Sequence, residues 1–141
     1  MENQFNLQRF KDAQQRDYQT ALAEIRNGRK QSHWMWYIFP QMAGLGHSTM
    51  SAYYGIRGLE EARAYLDDPV LGGHLKEICQ ALLQIDGSSA GEIFGWPDDI
   101  KLRSSMTLFA VAAGGESVFR KVLDRYFDGK RDPKTLKLLG I

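Results

Sequence analysis

The feature that most restricts the fold is an apolar stripe with the period of an α-helix. Leu102, Met106, Phe109 and Ala113 fall at i, i+4, i+7 and i+11, between Pro97 and the pair Gly114-Gly115. Side chains so spaced share one helix face, and alternation of the strand type is missing. The same logic extends along the chain. Leu7, Phe10, Tyr18, Ala21, Leu22 and Ile25 predict a long first helix, with Asn6 as its cap and Gly28 at its end. Asp67-Asp68-Pro69 separates a helix around Leu59, Ala62 and Leu66 from one carrying Leu75, Ile78, Leu82 and Leu83. Ser88 or Ser89 caps a short helix ending near Gly95; Val118, Val122, Leu123 and Tyr126 form another. Asp132-Pro133 opens a last one ending at Gly140. Residues 34–39 keep a strand as an alternative, because an aromatic run suits a pleated edge. The expectation is a mainly α, compact single-domain bundle of about six to seven helices spanning residues 1–141.

Composition supports that size of core. The chain has 141 residues, 43% hydrophobic, with three Trp, six Tyr and seven Phe. A domain of this length buries roughly 70% of its unfolded surface and needs no disulfide or metal to hold it. With 18 basic and 17 acidic residues the net charge is +1, which argues against bulk attraction to nucleic acid or an anionic membrane. The basic residues Arg26, Arg29 and Lys30, and Lys130, Arg131, Lys134 and Lys137, gather near expected helix ends, where cations meet the negative dipole end. Cys79 is alone, a usage that suits a reducing compartment. Met1-Glu2-Asn3-Gln4 shows no leader pattern, and the apolar run at 34–40 is far short of the ~20 residues a bilayer requires. A cytoplasmic location is expected.

Two segments are out of the ordinary. In the first, Ser32-His33-Trp34-Met35-Trp36-Tyr37-Ile38-Phe39-Pro40-Gln41, every helical face carries an aromatic ring, so much of it must be buried whichever way it turns. Aromatic stripes usually build cores. His33, Gln41 and the nearby Ser48 ask for more, since buried polar groups require partners. Gly44-Leu45-Gly46-His47-Ser48-Thr49 lacks both the third glycine of a dinucleotide loop and the Gly-Lys pair of a phosphate loop, and reads as a turn whose amides and hydroxyls can hold an oxyanion. In the second segment, Phe94 to Thr107, Asp98 and Asp99 follow Pro97 as helix N-termini prefer. Lys101 with Ser104 and Ser105 makes one polar face opposite Leu102.

Known catalytic patterns find little purchase. His33, His47, His74 and Cys79 have no metal-ligand spacing. Lys101-x-x-Ser104 reverses the order a Ser-x-x-Lys nucleophile needs. A Ser104–His33–Asp99 triad can be written from residue types, but triads are recognised by geometry.

Residues 30–41, 44–48 and 97–109, with the first helix and the break around Tyr65-Leu66…Pro69-Val70-Leu71-Gly72, resemble the bacterial family catalogued as domain of unknown function 1810. The resemblance covers nearly the whole chain and implies a compact, mainly helical domain. Some members carry the label calpastatin; such an inhibitor would be repetitive and disordered, and this sequence is neither.

Two functional readings follow. In one, a small polar ligand, phosphorylated or nucleotide-like, binds between the 32–49 and 96–108 segments, with no cofactor and no metal. Trp34, Trp36 and Tyr37 supply a wall, Gln41, Ser48, Lys101 and Ser104 bind polar groups, and His33 and Asp99 serve as base or hydrogen-bond partner, leaving room for hydrolysis. In the other, the same residues build the core of a non-catalytic protein-interaction module. Oligomeric state stays open.

Overall fold

A computed structural model describes residues 5–141; Met1–Gln4, read above for a leader, lie outside the described residues. Among the described residues nine helical segments follow one another: α1 Gln8–Arg26, α2 Met35–Ile38, α3 Thr49–Tyr54, α4 Leu59–Asp67, α5 Pro69–Leu83, α6 Ala90–Phe94, α7 Asp98–Ala113, α8 Val118–Phe127 and α9 Pro133–Leu138. Five of these (α1, α4, α5, α7 and α8) form the body, and the four short ones trim its ends. No strand forms among the described residues; Met42 and Ile56 make an isolated parallel bridge. Residues 35–38 turn as a single helical turn, which removes the strand alternative for the aromatic run.

α7 is the central helix. It packs on α8, α4, α6 and α9, and residues 104–110 are buried all round the helix. The one-sided stripe expected from the sequence understates this, and its last member, Ala113, is exposed. Through the core runs a line of touching rings. Phe10 meets Tyr65 edge-on at 5.1 Å, Tyr65 meets Phe109 at 5.2 Å, and Phe109 meets Phe119 at 5.8 Å. It links α1, α4, α7 and α8, and such pairs stabilise by about 0.5–1.5 kcal/mol each beyond their burial.

Local chemistry sets the helix ends. Asp68 caps α5, accepting from the amides of Val70 and Leu71 at 3.0 Å, while Lys11 of α1 reaches its other oxygen at 2.7 Å. At this corner Gly72 lets α5 close on α4, since a Cβ there would lie 2.2 Å from the Leu66 carbonyl oxygen. Ser89 and Glu92 form a reciprocal capping box on α6. The start of α1 departs from expectation. Leu7, not Asn6, is the capping residue, and no side chain caps the helix. The Asn6 carbonyl instead accepts from Arg9, whose buried guanidinium also donates to the Tyr53 and Gly55 carbonyls and pairs with Glu61 at 2.8 Å. That cluster ties α1 to the end of α3 and the start of α4.

Candidate functional site

The first aromatic segment is pinned to α1 by one carboxylate. Glu24 accepts from the backbone amides of Gln31 and Ser32, the Ser32 hydroxyl and the Trp34 indole N–H. Partial burial alone would raise its pKa, but these donors outweigh it and hold the group at about 2. Trp34 is thereby fixed in the core, packed against Phe39 and Phe94.

Lys30, just before it, is anchored by its own amide to the Ile93 carbonyl of α6. Its side chain is only 7% exposed, and its ammonium lies 4.9 Å from the centre of the Trp34 ring. That ammonium donates to the Ser32 carbonyl and to Asp98 Oδ2 at 2.8 Å. The second oxygen of Asp98 stands 3.2 Å from Lys101 Nζ, one turn along α7. Lys101 in turn sits 4.3 Å over the ring of Trp36. Gly46, in the loop after Pro40, lies against the edge of this indole. A Cβ at Gly46 would lie 3.1 Å from the Trp36 Cη2 and 2.8 Å from the Ser51 Cβ, so a side chain there would push the loop off the ring. The result is two ammonium groups on one carboxylate, each facing an indole.

Of the residues singled out in the sequence, Trp36 and Lys101 meet in this centre and Trp34 borders it. The rest are placed differently. His33 presents an exposed ring, and its carbonyl accepts from the Tyr37 hydroxyl at 3.1 Å. Tyr37 also donates to Asp17; burial, together with that carboxylate, pushes its phenol well above the ordinary value. Gln41 is buried at the root of the loop, with its side-chain nitrogen unpartnered and its carbonyl accepting from the Ile56 amide at 2.8 Å. The Ser48 hydroxyl caps α3, accepting from the Ser51 amide at 3.0 Å. Asp99 lies toward α6, where a Cβ on Gly91 would come within 3.6 Å of its carboxylate. Ser104 donates to Asp132 at 2.8 Å inside the protein. Burial disfavours the charged Asp132, yet the Thr135 and Ser104 hydroxyls and the amides of α9 lower its pKa. Ser104 therefore serves the cap of α9.

Glu24, Lys30 and Asp98 are the side chains that build this arrangement and that sequence reasoning passed over. Lys30 reads as a helix-end cation and Asp98 as a helix-start acid. The available signal was the i, i+3 spacing of Asp98 and Lys101, which places opposite charges on one helix face.

An open cleft of about 830 Å³ lies elsewhere, between the end of α1 and α5, lined by Arg26, Lys76, Glu77, Gln80 and Gln84. It shares no residue with the lysine centre. Among the described residues, no three His, Cys, Asp or Glu side chains are grouped to hold a metal ion. No helix there is long and apolar enough to cross a membrane.

Residues 4–139 match the family model described as protein of unknown function, DUF1810. The chain belongs to the DUF1810 family. It is similar to the conserved hypothetical protein Rv1873 from Mycobacterium tuberculosis, solved at 1.38 Å. Identity is 47%, the match covers 99% of each chain, and the TM-score is 0.96. No curated protein matches it. In this DUF1810 chain the three segments that carry the family resemblance meet in one place. The 30–41 segment brings Lys30 and Trp36, the 44–48 loop brings Gly46, and the start of α7 brings Asp98 and Lys101.

Proposed function

We propose that this DUF1810 chain binds a small, polar, negatively charged ligand, phosphorylated or nucleotide-like, at the Lys30–Asp98–Lys101 centre between the two segments. The observation that carries the reading is the excess of positive charge there. One carboxylate faces two ammonium groups, and the Lys30 side chain is only 7% exposed. Partly desolvated cations favour a second anion, and indole faces compensate them only in part, by about 2 kcal/mol for a desolvated cation. A phosphate or carboxylate oxygen supplies the missing charge. Neither residue expected as a base contacts the lysines, since the His33 ring is exposed and Asp99 faces α6, so the reading is one of binding first.

The test is a thermal-shift panel of nucleotides, dinucleotides, ADP-ribose-type compounds and phosphorylated metabolites. A ligand at 100 times its Kd adds about 2.7 kcal/mol, several degrees for a domain of this size. The reading predicts a hit that disappears in Lys101→Ala. A hit that survives Lys101→Ala would place the ligand away from these lysines, and a flat panel moves the assignment to the protein-interaction module.

A further inference from the structure

The anionic centre accounts for one end of a ligand; the tryptophans bear on the other. Two of the three are already engaged. Trp34 is 1% exposed and wedged between Phe39 and Phe94. Trp36 has the Lys101 ammonium over its ring and the Gly46 loop against its edge. Trp34 thus has no face left for a planar ligand, and Trp36, half-buried, has one face taken by the Lys101 ammonium.

Trp96 is the opposite case. Its side chain is 80% exposed, on the turn between α6 and α7. An indole this exposed contributes little to the fold and forfeits most of the hydrophobic gain of the largest side chain. Its place is specific. It stands two residues before Asp98, the carboxylate that bridges the lysines, so the two Cα atoms are at most ~7 Å apart. Three residues before it, the Ile93 carbonyl holds the Lys30 amide at 2.7 Å. Ile100, 51% exposed, adds apolar surface one turn into α7. An uncommitted aromatic side chain thus stands two residues along the chain from the carboxylate that bridges the lysines.

We infer that Trp96 stacks on an aromatic ring of the ligand whose anionic group is held by Lys30 and Lys101, which makes the ligand class a nucleoside phosphate or a similar ring-bearing anion. The inference rests on the anion-binding reading above and deepens it. The lysines supply charge recognition common to all phosphates, and Trp96 separates ring-bearing from ringless ones. It is a specificity residue with no part in holding the fold.

The test titrates ADP and inorganic pyrophosphate by calorimetry into wild type, Trp96→Ala, Trp96→Phe and Lys101→Ala. Stacking contributes enough that wild type should bind ADP roughly tenfold or more tighter than pyrophosphate. Trp96→Ala should erase that gap while leaving pyrophosphate affinity and melting temperature unchanged, and Trp96→Phe should keep most of it. Lys101→Ala should weaken both ligands. Equal affinities in wild type, or a gap that persists in Trp96→Ala, overturn the inference and leave the anion site standing. Failure of both ligands to bind wild type overturns the anion site and this inference with it.

Discussion

Replacing Glu61 by Gln removes the charge from a pair that the fold has taken out of water. The side chains of Arg9 and Glu61 are 7% and 2% exposed, and their nearest atoms are 2.8 Å apart. Removing one member of such a pair costs about 3–5 kcal/mol, because the other charge stays buried without its counter-ion. Arg9 keeps the carbonyls of Asn6, Tyr53 and Gly55. That retained set places Glu61→Gln near the lower end, about 3 kcal/mol. At about 3–4 °C per kcal/mol for a domain of this length, the melting temperature should fall by about 9–12 °C in calorimetry at neutral pH. The double substitution Arg9→Met with Glu61→Leu should be less damaging than the sum of its singles by at least about 1 kcal/mol, since neither charge is then stranded. A Glu61→Gln variant melting within 2 °C of wild type would show that water reaches the pair, and would refute the account of how α1, α3 and α4 are joined.

Other substitutions separate structural from functional side chains. Ser104→Ala removes a hydrogen bond to a buried carboxylate, a loss of about 1.5–3 kcal/mol, and should lower the melting temperature while leaving anion binding intact; binding lost at unchanged stability would restore Ser104 to the site. Glu24 has a folded-state pKa of about 2, below its ordinary value. The unfolded chain therefore binds the proton more readily, so Glu24 contributes stability above about pH 4.3 that is lost as pH falls towards 2. Melting curves of wild type should steepen through that window, and those of Glu24→Gln should be flatter there; parallel curves would contradict the four-donor description of Glu24.

Much of the helical scaffold is legible in the sequence, because its signals are local. Leu7, Phe10, Tyr18, Ala21, Leu22 and Ile25 are all buried, as their spacing implies. Pro69 after Asp68, Ser89 before Glu92, and Gly114 mark real helix ends. Nine segments form among the described residues where six to seven helices are expected, because helices as short as α2 and α3 cannot carry a period. The candidate site is less legible. Trp36 and Lys101 stand out by type, but their partners are fixed by contacts between distant parts of the chain. Lys30 and Asp98 meet only when the end of α1 packs beside α6 and the start of α7. Ser48 and Ser104 look like binding groups in sequence because a hydroxyl that caps a helix and one that meets a ligand are the same residue. Only the position of the accepting or donating atom tells them apart.

The central claim is that the Lys30–Asp98–Lys101 centre carries one positive charge too many and takes up an anion. Its most direct test is a calorimetric titration of pyrophosphate into wild type and Asp98→Asn. Removing a negative charge beside a bound anion relieves a repulsion of about 1 kcal/mol or more. Asp98→Asn should therefore bind pyrophosphate at least about fivefold more tightly than wild type, with a lower melting temperature in the absence of ligand because the buried Lys30 ammonium loses its counter-ion. Unchanged or weaker binding would mean that the anion does not sit between these lysines.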